Sequence, residues 1–423
     1  MKILIRAAEI IDSQSPYDGS VKSILIVNGI ISQIEDKIET EADLIIEEED
    51  LKVSIGWFDM RVSTGDPGNE YQEDLFSVKN AAAAGGFTEI AVLPNTHPVV
   101  QTKESILYQK TKAAIHAVLI HPIAAVTLDN RGVELTEMID LHHAGAVAFS
   151  DGNHPLQNSD MVLKVLQYMQ PFGGLFINRP EDTLLTKFGV MNEGLTATLL
   201  GMKGMPKMAE SMMIMRDLKI LAYTGGKIHF SCISTSESIE IIRQAKKNGL
   251  QVTCDIAAHQ IAFEDSALAD FDSVYKVNPP FRNQNDIDAL WEGLEDGTID
   301  VIVSDHQPLE EEGKNLEFDM AEFGIIGLET AFSVINTYNK RLNLLKLIEK
   351  FTKGPREVLN IYIPKIEEGS MANLTFFNEK KEWIYKEENI ISKSKNSPFI
   401  GMTLKGKVIG IINNGMWNST FYK

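Results

Sequence analysis

Val53-Ser54-Ile55-Gly56-Trp57-Phe58-Asp59-Met60-Arg61-Val62-Ser63-Thr64-Gly65-Asp66-Pro67-Gly68 is an apolar run that ends on ionisable side chains and a Pro-Gly turn. The same rhythm returns over Thr88–Leu93, Ala117–His121, Ala146–Ser150, Gly174–Asn178, Lys227–Ile233, Gln251–Ile256 and Asp300–Ser304. Apolar runs this continuous fit strands buried on both faces. Between them lie segments of helical spacing, such as Ser236–Gly249 with Ile239, Ile241, Ile242 and Ala245, and Asn285–Leu294. Counting Val53–Val62, the pattern predicts eight β/α units and so a closed (β/α)8 barrel over residues 51–365.

Outward from that middle, residues 2–6 and 23–34 cluster Ile, Leu and Val around the turns Asp18-Gly19 and Asn28-Gly29. Met371–Phe377, Gly406–Ile412 and Asn413-Asn414-Gly415 repeat that character at the other end. A small β-sandwich built from residues 1–50 and 366–423 is expected. With 423 residues and 44% hydrophobic composition the chain can bury a large core. Its net charge of −19 repels phosphate backbones and anionic lipid, so no nucleic-acid or membrane partner is expected. Cys232 and Cys254 make no disulfide framework, and neither lies in a CxxC pattern. The opening Met-Lys-Ile-Leu-Ile-Arg is too short an apolar run for a signal peptide, and the stretch 113–128 is too broken to span a bilayer. A cytoplasmic protein is expected.

In a (β/α)8 barrel the working residues stand where strands end and βα loops begin. Those ends carry Asp59, Arg61, Ser63, Asn95, Asp151, Arg179, Glu181, Asp182, Cys232, His259, Asp305 and His306. Each alone is as easily a cap or a salt bridge as a site residue. Together they form a polar, ionisable mouth suited to pocket chemistry.

These blocks resemble the dihydroorotases of the amidohydrolase superfamily, of the multifunctional-complex type. The family's Asp-x-His-x-His-x-Arg-x-Pro-Gly opening is mirrored by Asp59 to Gly68. Leu93-Pro94-Asn95-Thr96, Gly145 to Gly152, Val277-Asn278-Pro279-Pro280-Phe281-Arg282, Ser304-Asp305-His306, Gly324 to Thr330 and Asn396-Ser397-Pro398-Phe399-Ile400-Gly401 match further blocks. The resemblance implies an amidohydrolase-type barrel. It also implies zinc in active members, Asp151 and Asp305 at metal-ligand positions, Asp305 as general base, and Asn95 and Asn278 as substrate contacts.

The departures bear on function. The two ligand histidines of the opening motif are Arg61 and Ser63 here, that of the His-Pro-Glu-Asp block is Arg179, and that before Ser-Thr is Cys232. The substrate-clamping arginine is Gly65, and a further histidine is Leu309. A guanidinium stays protonated and has no lone pair for a metal. The degenerate set Arg61, Ser63, Asp151, Arg179, Cys232 and Asp305 is therefore expected to hold no metal, and no cofactor is expected. Without metals, Asp59, Asp151 and Asp305 become buried like charges. Arg61 and Arg179 are expected to serve as internal counter-ions, the alternative being that both point to solvent.

The favoured expectation is a catalytically inactive, vestigial dihydroorotase-like barrel of de novo pyrimidine biosynthesis. By resemblance it would act as a structural partner of aspartate carbamoyltransferase, as a homodimer or hetero-oligomer. One alternative is a dihydroorotase or other cyclic-amide hydrolase with an atypical metal site, using Asp305 as base. Another is a metal-free module binding an anionic metabolite. Met202, Met205, Met208, Met212, Met213 and Met215 read as helix core or as an adaptable partner surface. Glu310-Glu311-Glu312-Gly313-Lys314 reads as a solvated loop, His142-His143 as a surface pair and Cys254 as core.

Overall fold

The computed structural model describes residues 1–112 and 116–419; the first residues of the apolar stretch 113–128 lie outside them. Eight parallel strands follow one another around a barrel: β1 Trp57–Val62, β2 Phe87–Val92, β3 Leu119–Ala124, β4 Ala148–Phe149, β5 Phe176–Asn178, β6 Ile228–Phe230, β7 Val252–Ala257 and β8 Val301–Val303. Just beyond their ends, β1 and β8 are joined by a parallel bridge between Val62 and His306, and the Ser63 N–H donates to the His306 carbonyl at 2.9 Å. Seven of the eight strands lie where the apolar runs place them.

The first run divides in two. Lys52–Ile55 pairs antiparallel with Leu374–Phe377 in the terminal sheet, and the barrel begins only at Trp57. Gly56 makes the crossing because a Cβ there would lie 1.9 Å from Asn373 Oδ1 and 2.1 Å from Thr88 Oγ1. Apolar composition alone cannot show such a break, since both halves are buried.

Strands Lys2–Ile10, Val21–Val27, Ile30–Glu35 and Leu44–Ile46 combine with Lys52–Ile55, Leu374–Ile384, Thr403–Asn413 and Met416–Ser419 in one sheet from both ends of the chain. Its edge at Ile30 returns to Met371 through an antiparallel bridge, so the sheet curls around Ile5, Ile24, Ile34, Val53, Phe376 and Ile412. Trp57 seals the junction with the barrel, its ring 4.8 Å from Phe332, 5.3 Å from Phe377 and 5.7 Å from Phe351.

Inside the barrel, Phe58, Met60, Ala91, Ile123, Ile177, Cys232, Ala257 and Val303 fill the lumen. Nearer the strand starts, Glu89 accepts from Arg356 at 2.7 Å and Asn373 at 3.1 Å and meets His121 at 2.7 Å. Burial opposes its charge, but these partners hold its carboxyl at about 2. The lumen is thus apolar through its middle, with this charged cluster toward the strand starts and a polar mouth at the opposite end. Among the described residues no helix is long and apolar enough to cross a membrane.

Gly56→Ala is expected to lower unfolding free energy by about 2 kcal/mol or more, because the backbone and the Thr88 and Asn373 side chains must shift together. Chemical denaturation checks it; a wild-type midpoint would contradict the close approach.

Candidate functional site

Arg61 leaves the last turn of β1 and points into the mouth, only 1% exposed. Its Nε donates to Asp305 Oδ1 at 2.8 Å, one terminal nitrogen to Asn153 Oδ1 at 2.7 Å, and the other to Ser231 Oγ at 3.4 Å. The guanidinium therefore ties the ends of β1, β4, β6 and β8 together. Ser231 Oγ donates in turn to Asp255 Oδ2 at 2.9 Å, an oxygen that also meets His229 Nε2 at 2.9 Å. The Cys232 N–H donates to the other Asp255 oxygen at 2.6 Å.

Asp305 and Cys232 both hold left-handed backbone angles, with φ of 48° and 55°. Non-glycine residues adopt them at a cost of about 1–3 kcal/mol each, and do so mainly where side chains must be aimed. Asp305 is thereby directed onto Arg61, with Gln307 Nε2 donating to the same carboxylate oxygen at 2.9 Å. Burial among apolar neighbours raises the Cys232 thiol well above its ordinary pKa, so it stands in the mouth as a neutral group.

The other two carboxylates are met without a cation. Asp59 accepts from the backbone N–H groups of Arg61 and Ser304, both at 3.0 Å, and burial lifts its carboxyl to about 7. Asp151 turns away from Arg61. Its Oδ1 accepts from the N–H groups of Val126 and Thr127 at 2.9 Å, Thr127 Oγ1 bonds its other oxygen, and burial raises it to about 6.

Arg179 is buried but serves a different acid from those expected. It pairs with Glu181, two residues on, and donates to the Asn278 carbonyl at 3.4 Å. Burial works against the charge of Glu181, but Arg179, Thr186 and Asn278 outweigh it and hold its carboxyl below the usual range. Neither arginine points to solvent, and only Arg61 touches one of the three aspartates. Asn278 Nδ2 donates to Glu181 at 3.1 Å. Asn95 staples the loop after β4, donating to the Asp151 carbonyl and accepting from the Asn153 N–H, each at 3.0 Å. A side chain at Gly152 would collide with it, Cβ to Oδ1 1.8 Å.

Several buried polar atoms at this end lack a hydrogen-bond partner. Ser63 Oγ, Arg179 Nε and both ring nitrogens of His259 have no hydrogen-bond partner. Burial lowers the His259 ring to about 4, against the pull of Asp305 and of the Ser304 backbone, whose approach falls outside good hydrogen-bond geometry. A cavity of about 20 Å³ lies beside Arg179, Glu181, Asn278 and Arg282.

These donors do not fit a zinc centre. A structural or catalytic zinc needs three or four convergent imidazole, thiolate or carboxylate donors. Here Arg61 occupies Asp305, and backbone amides occupy Asp59 and Asp151. Among the described residues no three His, Cys, Asp or Glu groups come together to hold an ion.

The residues that organise this network were not all among the expected ones. Asp255 and Asn153 do much of the work, and Asp255 had a signal: a carboxylate inside the apolar run Val252–Ala257 must be buried and so must be paired. At the rim Lys314 is not solvated. It is buried and donates to the carbonyls of Glu322, Ser273 and Lys276 at 2.8, 2.9 and 3.0 Å, and burial brings its ammonium down to about 7. Of the methionines, Met205 and Met213 are buried, whereas Met208, Met212 and Met215 are exposed.

Known proteins align with the whole chain. Residues 52–238 match a dihydro-orotase-like family model, and residues 202–417 match the amidohydrolase family. The chain is 39% identical to the dihydroorotase of Acetivibrio thermocellus over 417 residues, 98% of either protein. It is likewise 39% identical to the dihydroorotase of Geotalea daltonii over 419 residues, again 98% of each. In fold it is similar to the L-hydantoinase of Arthrobacter aurescens, with TM-score 0.84 and 22% identity over 99% of this chain and 96% of that one. The dihydropyrimidinase of Brevibacillus agri gives TM-score 0.81 and 18% identity over 99% and 95%.

Two outcomes follow from the geometry. Arg61→Met leaves Asp305 buried without its cation, and a loss of about 3–5 kcal/mol is expected, largely recovered in Arg61→Met/Asp305→Leu, where neither charge remains. Chemical denaturation of both variants checks this, and a single variant within about 1 kcal/mol of wild type would contradict it. His259→Phe is expected to keep or raise the melting temperature at neutral pH, since it deletes two orphaned polar atoms beside Phe281. The ring's depressed pKa makes its contribution complete above 6.5 and lost as pH falls toward 4, while Asp59 and Asp151, with raised values, act in the opposite sense over an overlapping range. The wild-type minus variant difference in melting temperature, followed from pH 7 downward, isolates the histidine; a flat difference would contradict its assignment as a buried neutral ring.

Proposed function

The chain belongs to the dihydroorotase-like members of the amidohydrolase family, and from that premise we propose that it is one that has given up hydrolysis. One observation carries the reading: the buried Arg61 guanidinium, with Nε 2.8 Å from Asp305 Oδ1, lies in the mouth where ring opening requires a Lewis acid and an activated water. A permanent cation there repels a metal dication, and as a donor without a lone pair it coordinates none. Asp305, the base position by resemblance, already accepts from Arg61 and Gln307 on the same oxygen. Asn95 and Asn278 are likewise spent on internal contacts. A hydrolase with an atypical metal site would need Arg61 withdrawn from Asp305, uncovering a buried carboxylate.

An intact barrel with an occupied mouth suits a structural role in pyrimidine metabolism. Aspartate carbamoyltransferase is the partner we propose, on the strength of the family resemblance. A second reading has its own support: the orphaned Ser63 Oγ, Arg179 Nε and His259 nitrogens would suit a small polar guest, such as an anionic metabolite bound without metal.

The test is dihydroorotate hydrolysis in added zinc, with the Asp305→Asn protein as control. The wild-type rate is expected to be no higher than the control's. Turnover that the control lacks, and that a chelator removes, would overturn the reading.

A further inference from the structure

Between the terminal-sheet strands Leu374–Ile384 and Thr403–Asn413 the chain runs to the edge of the barrel mouth as an extended strap. Buried apolar side chains, Ile390 and Phe399, anchor its two ends. Between them inward and outward side chains alternate: Ser392, Ser394 and Asn396 are buried, whereas Ile391, Lys393 and Lys395 are exposed. The underside is therefore polar, and hydrogen bonds rather than apolar burial hold it down. Asn396 donates to the Gln307 and Gly324 carbonyls at 2.9 and 3.1 Å, and Ser394 Oγ to the Gln72 carbonyl at 2.9 Å. The strap thus ties the loop after β1 to the loop after β8, which carries the Gln307 that donates to Asp305.

At its middle two carboxylates close on one residue. Glu329 accepts from the Ser392 N–H at 3.0 Å and, on both oxygens, from the Ile391 N–H at 3.0 and 3.1 Å. The fully buried Glu73 accepts from Ser392 Oγ. Bonding to the N–H and the hydroxyl of the same serine brings the two acids together, and like charges so placed do not both ionise without cost. His306 selects the acid that keeps its charge. Its Nδ1 accepts from the Gly327 N–H at 3.3 Å, which leaves the ring proton on Nε2, 3.5 Å from Glu73 Oε2. Burial opposes the charge of Glu73, but His306, Ser392 and Ser77 outweigh it and hold its carboxyl below the usual range. Burial, with Glu73 alongside, lifts the Glu329 carboxyl to about 7 against the pull of the Ser392 and Ile391 N–H groups and of Lys395. Among the other ionisable groups, Lys395 is turned to the Glu387 and Ile390 carbonyls, each at 3.4 Å, and Lys393 to Asp74 at 2.6 Å. Burial keeps the Tyr385 phenol neutral.

We propose that residues 391–396 are a proton-operated latch on the barrel mouth, docked while the Glu73–Glu329 pair shares a proton and loosened once both acids are ionised. The docked value of Glu329 lies above its ordinary 4.5, so the proton's support is complete below 4.5 and lost as pH rises through 7. Loosening unties the loop after β8, and Gln307 with it, so the mouth opens as pH rises. The latch stands whether or not the mouth has kept any chemistry.

Amide hydrogen exchange of the full chain tests it, read by mass spectrometry on peptides covering 390–396 and corrected for the intrinsic pH dependence of exchange. Protection in the wild type is expected to fall about tenfold from pH 6 to pH 8.5, while the strand Leu374–Phe377 stays constant. Glu329→Gln keeps an acceptor oxygen without the charge, and its strap is expected to hold constant protection over that range at wild-type circular dichroism. Glu73→Gln removes the neighbouring charge and is expected to move the midpoint of the fall to lower pH. A wild-type strap equally protected at pH 6 and pH 8.5 would overturn the proposal. So would a fall that persists unchanged in Glu329→Gln.

Discussion

A carboxylate buried at the end of a parallel barrel strand must be met by a cation, by converging N–H groups or by a proton. The first solution, Arg61 against Asp305, organises the mouth, because the same guanidinium also reaches Asn153 and, through Ser231, Asp255. One planar fork of donors thereby holds four strand ends at a fixed spacing, a task that a lysine's single ammonium would not perform. Asp59 and Asp151 use the other two solutions together: each accepts two backbone N–H bonds, and burial raises each carboxyl to where it is protonated over part of the ordinary pH range. The mouth is thus neutralised piece by piece, each acid with its own local arrangement.

The backbone beneath keeps the form of a site that aims side chains inward. Cys232 and Asp305 occupy left-handed conformations at the ends of β6 and β8, and Gly152 leaves room for Asn95 alone. Such strain persists only when the surroundings over-determine it. Here the Asp255 carboxylate fixes the Cys232 N–H and Arg61 fixes Asp305, so the inherited geometry is held by hydrogen bonds. The family membership is plain along the whole length, and the groups at the mouth are engaged with one another.

Much of this was legible in the residues. Continuous apolar runs located seven barrel strands, since a strand covered on both faces leaves no other pattern, and the clustering of polar residues at their ends identified the mouth. The division of the first run at Gly56 was hidden because burial is equal on both sides of it. Pairing was only half legible. Arg61 and Arg179 could be recognised as cations among carboxylates, but the choice of Glu181 over an aspartate for Arg179 depends on a turn that brings residues two apart together. Lys314 looked solvated inside an acidic run, and its three backbone carbonyl partners come from two different loops that no local pattern connects. The exposed methionine face had the same periodicity as a buried one, and only the packing of its neighbours tells them apart.

We propose that a guanidinium and its hydrogen bonds stand where a metal centre would otherwise balance the mouth. Zinc content of the purified full-length chain, dialysed first against zinc and then against metal-free buffer, measures this most directly. Well under one zinc per chain is expected, and the same low content in Arg61→Met. Retention of about two zincs per wild-type chain would contradict it.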